Sequence, residues 1–194
     1  MGEATFPSKL EIDAVRNKMS GHHFNGNGAS ASRDGNGNGS HETGPTLIDL
    51  FAGAGGMTLG FVKAGFCSVL AVEQDEAAAA TYDRNFGPHC FHVPIEHIKS
   101  YPSASVIIGG PPCQGFSNLG KRLEYDPRNQ LWRYYLRAVE TAHPLCFVIE
   151  NVPPLLKSQE FVEICSEAKK LGYEIEGRVL NAADYGVPQT RKRA

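Results

Sequence analysis

The stretch TLIDLFAGAGGMTLGFVKAGFCSVLAVE, residues 46–73, decides the fold. TLIDL is a short apolar run of strand length. It runs straight into the glycine-rich FAGAGG. MTLGFVKAGF then carries apolar residues at helical spacing, and Gly65 is placed to stop that helix. SVLAVE is a second apolar run, ending on Glu73. Strand, glycine loop, helix, strand is the opening unit of an α/β sheet.

The same alternation continues outward. DEAAAATYDRNF (75–86) is rich in helix formers and ends at Gly87-Pro88. SVIIGG (105–110) is the third apolar run, and a Pro/Gly loop follows it. RNQLWRYYLRAVETA (128–142) reads as a helix. LCFVIE (145–150) is a fourth run, again followed by prolines. SQEFVEICSEAKKLG (158–172) is a helix with Ser158 as its cap. YEIEGRVLNA (173–182) reads as a further strand. Near-continuous apolar strands alternating with helices predict an α/β fold with a doubly wound, mostly parallel sheet covered on both faces.

Residues 1–45 differ. SGHHFNGNGASASRDGNGNGSHETG (20–44) has almost nothing to bury and reads as a disordered Gly/Asn/Ser-rich tail. His22, His23 and His41 sit in it without a frame to hold a metal. Residues 8–18 have the pattern of a short amphipathic helix. The domain proper is expected over 46–194.

Composition excludes several classes. Hydrophobic residues make up 41% and the formal charge is -2, which is globular and gives no global mark of a nucleic-acid binder. No apolar run reaches membrane-spanning length, and no charged start precedes an apolar stretch. An intracellular protein is expected, nuclear in a eukaryote and cytoplasmic in a bacterium. Of five cysteines, none forms a C-x-x-C pair, so reduced thiols are expected and no metal site. Cys67, Cys90, Cys146 and Cys165 read as small buried residues.

In a parallel sheet, ligands bind beyond the carboxyl ends of the strands. FAGAGG, Glu73, GGPPCQGFSN and ENVPP all fall there. FAGAGG fits neither the G-x-G-x-x-G phosphate fingerprint nor a P-loop, but its glycines allow close approach to a ligand. Glu73 is placed to accept hydrogen bonds from ribose hydroxyls. In GGPPCQGFSNLGKR (109–122) two prolines stiffen the backbone ahead of Cys113. A cysteine on a stiff, polar loop at such an edge is a nucleophile candidate. Gly110, Gly115 and Gly120 would let that loop move. Glu150 ends an apolar strand at the same edge, where a carboxyl can hold a proton. Arg191 and Arg193 in QTRKRA share a face if extended; arginine suits phosphate and base edges. Lys121 and Arg122 add positive charge.

Together, DLFAGAGG, Glu73, GGPPCQGFS, ENVPPLL and QTRKR resemble, in order and spacing, the motifs of the C5-cytosine DNA methyltransferase family. The resemblance covers about 46–194. It implies a Rossmann-like S-adenosylmethionine-dependent methyltransferase fold, with S-adenosylmethionine as cofactor and double-stranded DNA with a flipped cytosine as substrate. By position it implies that Phe51 packs on adenine and that Gly53, Gly55 and Gly56 line the methionine side. Ala52 and Pro111 would join the cofactor pocket, and Glu73 would hold the ribose. Cys113 would attack cytosine C6, Glu150 would contact N3, and Arg191 and Arg193 would support the flipped base. The family often carries an acidic residue where HVPIEHI (92–98) has Pro94; Ile95 remains for an apolar contact.

Family members continue past the QTRKR motif into a target-recognition region and a further conserved part. The resemblance therefore implies a catalytic part incomplete at its C-terminus and acting as a monomeric unit. On its own, such a part would bind cofactor weakly and methylate poorly. Three other readings stay open: an RNA (tRNA) cytosine-C5 methyltransferase on the same scaffold, a non-catalytic cofactor- or nucleic-acid-binding module, and a nucleotide-dependent oxidoreductase.

Overall fold

The computed structural model describes residues 44–112 and 130–194. The expected tail and the expected 8–18 helix lie outside these residues, as do Cys113, Gly115, Gly120, Lys121 and Arg122.

Five parallel strands form one sheet in the order β3-β2-β1-β4-β5. They are β1 (Thr46–Leu50), β2 (Cys67–Glu73), β3 (Cys90–His92), β4 (Val106–Gly109) and β5 (Cys146–Ile149). The helices are α1 (Gly56–Lys63), α2 (Glu76–Phe86), α3 (Leu131–Ala142) and α4 (Gln159–Lys170). A small antiparallel pair, β6 (Leu180–Asn181) with β7 (Lys192–Arg193), lies apart from the main sheet. The doubly wound parallel sheet is as expected.

β1 is central because it is apolar on both faces. Leu47, Ile48 and Leu50 are fully buried, and each such side chain contributes about 1.5–3 kcal/mol. Leu47 packs with Val106, Ile108, Met57, Phe61 and Phe66 on the α1 side. Ile48, Leu50 and Ile107 pack on the other face with Leu131, Tyr135 and Val139 of α3. At the amino end, Thr46 and Ser105 exchange bonds: Thr46 N donates to Ser105 Oγ at 3.1 Å and Ser105 N to Thr46 Oγ1 at 2.9 Å. At the carboxyl end, a Cβ on Gly109 would overlap the Leu50 carbonyl oxygen. Only glycine lets β4 lie so close to β1 there.

Helix ends follow local chemistry. Asp75 caps α2, accepting from Ala78 N at 2.8 Å, and Ser158 caps α4, accepting from Phe161 N at 3.1 Å. Gly65 and Gly87 take φ of 93° and 102° after α1 and α2, where side chains are disfavoured.

Three expectations need correction. The strand β3 was not expected; three residues are too few to show a periodic signal. YEIEGRVLNA is not a full strand, since only Leu180–Asn181 pairs, and it pairs with β7. Nor are the four other cysteines buried: Cys67 and Cys146 are exposed, and Cys90 and Cys165 are half-buried. Cys67 and Cys146 are the first residues of their strands, outside the covered part of the sheet. All four are free thiols.

Candidate active site

Between β1 and β4 the chain reverses its winding, so the loops after these two strands flank a crevice at the carboxyl edge. A cleft of about 240 Å³ opens there, lined by Phe51, Val72, Glu73, Val93, Ile95, Glu96, Gly110 and Pro112 among others. Its walls combine apolar faces with the side chains of Glu73 and Glu96.

The glycine loop is built by backbone geometry. Phe51 takes φ 59°, an unusual conformation for a non-glycine residue. It turns the chain out of β1 while its ring stays half-buried on the cleft wall. Ala52 N then donates to the Val72 carbonyl at 3.1 Å, and Gly55 N to the Ala52 carbonyl at 2.9 Å. Gly53 and Gly55 take φ 54° and 89°. A Cβ on Gly55 would strike Phe86, whereas a Cβ on Gly53 or Gly56 would meet nothing within 4 Å. Gly55 thus serves internal packing, and Gly53 and Gly56 face open space.

Glu73 closes this corner. Its carboxylate accepts from Gly53 N and from Asp75 N, both at 2.8 Å. It therefore ties the glycine loop to the end of β2 and the start of α2. Beneath the loop, Asp49 is buried and accepts from Thr58 Oγ1 at 2.6 Å. Burial pushes its carboxyl up to about 7.

A second cluster lies across the crevice. Glu150 N donates to the Gly109 carbonyl at 2.9 Å, placing Glu150 directly beyond β5. Buried Asn151 donates from Nδ2 to the Pro111 carbonyl at 2.9 Å, joining the loop after β5 to the loop after β4. A Cβ on Gly110 would come within 3.1 Å of Glu150 Oε2. The isolated apolar setting expected for Glu150 is replaced by an arginine partner: Arg193 Nε lies 2.9 Å from Glu150 Oε1, both side chains about a third exposed. Arg193 arrives because Ala194 and Asn151 exchange backbone bonds of 2.8 and 2.9 Å.

The structure brings Phe51, Glu73 and Ile95 to one cleft, and Glu150, Pro111 and Arg193 to its neighbour. Ala52 is buried behind the loop. Arg191 is not brought in: it is exposed, and its backbone N–H and carbonyl bond to Asn181 Oδ1 and Ala182 N. Cys113 is outside the described residues; Pro112, its sequence neighbour, lines the cleft. Two site residues escaped the sequence reading. Glu96, two positions after Pro94 in a short 3-10 turn, Ile95–His97, lines the cleft. Asn151 had a visible signal, its place between Glu150 and the proline pair. Among the described residues no group of His, Cys, Asp and Glu is placed to hold a metal, and no helix is long and apolar enough to cross a membrane.

Comparison with known proteins gives the family and the fold. Residues 46–194 match the family described as C-5 cytosine-specific DNA methylase. The chain is 42% identical over 164 residues to the type II methyltransferase M1.HphI of Haemophilus parahaemolyticus, covering 76% of this chain and 44% of that protein. It is 45% identical over 168 residues to M.XorII of Xanthomonas oryzae pv. oryzae, covering 78% and 39%. Among solved structures, a prophage-encoded E. coli protein described as a DNA modification methyltransferase superposes with a TM-score of 0.65 at 35% identity, over 77% of this chain and 44% of that one. The chain thus spans less than half the length of these relatives. On the match over 46–194 and on these relatives, the chain belongs to the C-5 cytosine-specific DNA methylase family.

Proposed function

We propose that this chain carries the cofactor-binding and base-attacking part of a DNA cytosine-C5 methyltransferase. The observation that supports the reading is the Asn151–Pro111 bond, which joins the loop carrying Glu150 to Pro111, two positions before Cys113 in the sequence, beside the Phe51–Glu73 cleft.

The residues present fit S-adenosylmethionine. Phe51 and Ile95 offer apolar faces for a purine, and Glu73 and Glu96 in the same lining offer acceptors. Open space above Gly53 and Gly56 suits the methionine portion. When bound, S-adenosylmethionine supplies an electrophilic methyl group.

Cytosine C5 is a weak nucleophile, and the base must leave the duplex stack to be reached. The Cys113 thiolate forms a bond to C6 while the C5–C6 π electrons move onto C5, in conjugation with C4 and N3. Glu150 contacts N3 and so favours that attack. C5 would then take the methyl group, leaving S-adenosylhomocysteine; its own proton would pass to a solvent base, and the C5–H electrons would re-form the C5–C6 double bond as sulfur leaves as the thiolate. Splitting one hard step into two is the advantage of the covalent route. Arg193 holds the Glu150 carboxyl in place.

The test is a covalent trap. Duplex DNA containing 5-fluorocytosine blocks proton loss from C5, so the adduct accumulates. A band that requires S-adenosylmethionine and disappears in Cys113→Ala supports the reading. Trapping that persists in Cys113→Ala, or trapping on tRNA in preference to duplex DNA, goes against it.

A further inference from the structure

Five polar side chains, four from successive elements and the fifth from the turn before β3, form one buried line beneath the glycine loop. Thr58 Oγ1 on α1 donates to Asp49 Oδ2 on β1 at 2.6 Å. Thr58 Oγ1 lies 3.0 Å from Tyr82 Oη on α2, Tyr82 Oη 2.8 Å from Ser68 Oγ on β2, and Ser68 Oγ 3.0 Å from His89 Nε2 just before β3. All five residues are less than a tenth exposed. None of them belongs to the chemistry proposed above.

Each hydroxyl has one proton to give. Thr58 gives its proton to Asp49, so Tyr82 must donate to Thr58. Ser68 must then donate to Tyr82, and His89 Nε2–H to Ser68. The direction of the whole line follows from one carboxylate. It also fixes His89 as the Nε2–H tautomer and leaves Nδ1 with only a lone pair. Nδ1 is buried and has no hydrogen-bond partner among the described residues. The partly exposed Gly87 turn lies against it.

We propose that this line is a proton relay that loads Asp49 from His89 and thereby sets how firmly β1 holds α1 around the glycine loop. A solvent proton arriving at His89 Nδ1 is balanced by successive transfers. The Nε2 proton passes to Ser68, the Ser68 proton to Tyr82, the Tyr82 proton to Thr58, and the Thr58 proton to Asp49. One proton is taken up, Asp49 becomes neutral, every hydroxyl is reversed, and His89 is left as the Nδ1–H tautomer.

The loop feels this directly. A Cβ on Gly55 would sit 3.0 Å from the Tyr82 ring, so the relay runs under the loop's tightest turn. Ionised Asp49 also attracts the Thr58 backbone N–H in α1's first turn; neutral Asp49 loses that attraction. The groups facing Asp49 are Glu73 on β2, Tyr82 on α2, Tyr135 on α3 and Cys90 on β3; Asp83 on α2 faces His89. Burial raises Asp49 to about 7 and lowers His89, so neutral His89 and a titrating Asp49 meet near neutral pH.

The effect on cofactor rests on the cleft being an S-adenosylmethionine site; the relay does not. Isotope-labelled full chain, followed by NMR from about pH 5.5 to about pH 8.5, reads the relay without any ligand. The expected result is Nε2–H His89 at high pH and Nδ1–H at low pH. Its midpoint should coincide with that of the Asp49 carboxyl carbon and of the Gly53 and Gly55 amides. Tyr82→Phe removes one hydroxyl from the middle and should uncouple His89 from Asp49; Ser68→Ala breaks the next link if the first variant does not fold. Nδ1–H at both ends of the range, or a common midpoint surviving both variants, overturns the relay. Gly53 and Gly55 amides that ignore the Asp49 midpoint overturn its hold on the loop. Calorimetry with S-adenosylhomocysteine then separates the two readings. Wild type should bind about tenfold more weakly at the acid end, and the same affinity at both ends counts against the hold on the loop. No binding at either end counts against the cofactor site and leaves the relay to the NMR result.

Discussion

Asn151 Nδ2 reaches across the crevice to the Pro111 carbonyl at 2.9 Å, and this buried bond joins the loop after β5 to the loop after β4. Asn151→Ala leaves that carbonyl unpaired, at a cost of about 1–3 kcal/mol. Thermal melting should show the loss. Trapping on 5-fluorocytosine DNA should fall further than S-adenosylhomocysteine affinity, because the bond positions the attacking side of the site. Equal losses in both would speak against a role in joining the two loops.

Arg193 and Glu150 are paired but partly exposed. Arg193→Ala should therefore change stability by less than about 1 kcal/mol. Trapping should nonetheless drop about tenfold, since Glu150 loses the group that orients it. Arg193→Lys, a point charge without a planar fork, should recover only part of it. Wild-type trapping by Arg193→Ala would remove Arg193 from the site.

Glu73 accepts two backbone N–H groups at the corner of the cleft. Glu73→Ala frees both and loosens the glycine loop. S-adenosylhomocysteine affinity should weaken by roughly ten- to a hundredfold, the equivalent of about 1–3 kcal/mol. Titration calorimetry measures this. An unchanged Kd would mean that the carboxylate serves only the loop's own geometry.

Gly109→Ala is expected to abolish folding or lower stability by about 3 kcal/mol or more, because the new Cβ strikes backbone of the central strand. Gly56→Ala meets open space and should fold normally. Its effect should appear in cofactor affinity instead. Circular dichroism and calorimetry on the two variants distinguish the cases.

Asp49 gives stability a pH dependence of defined sign. Its folded value, about 7, lies above the ordinary 3.8, so its contribution is full at low pH and is lost as pH rises toward 7. The size is a few kcal/mol. His89, lowered by burial, acts oppositely: its contribution is present above its ordinary 6.5 and lost in acid. Asp49→Asn removes the first term alone. Relative to wild type, the variant should gain stability steadily from about pH 4 to about pH 7 in denaturant titrations. A flat difference would contradict a raised Asp49.

Much of this could be read from the chain. The apolar runs of β1, β2 and β4 are unambiguous because these strands are buried in the sheet, and β5 is legible as a short apolar run between a helix and a proline loop although half of it is exposed. Gly65 and Ser158 were legible as helix stop and cap because those roles depend on local backbone needs. β3 was not legible, since three residues at the sheet's edge carry no period. Residues 173–179 form no strand: Tyr173, Ile175 and Val179 have strand propensity, but none pairs with a strand, and Tyr173 instead packs its ring on Phe147 of β5. Glu73 was placed at the right corner, yet its two backbone partners come from loop curvature that sequence does not show. The Asp49–His89 line joins residues up to 40 positions apart and depends on side-chain directions across four elements and the turn before β3. The cysteines were misjudged by applying an average preference to strand-start positions.

The outer edge of β5 has a consequence for handling this chain in solution. The strand reads CFVI, with no lysine, proline or bulge to discourage pairing. Leu145 beside it is 86% exposed and Val148 41% exposed. Among the described residues, only β4 pairs with it. Such an edge is a template for non-specific strand addition, so concentration, more than temperature, should limit how long the protein stays dispersed. A single Val148→Lys change on that edge is the simplest way to keep it so.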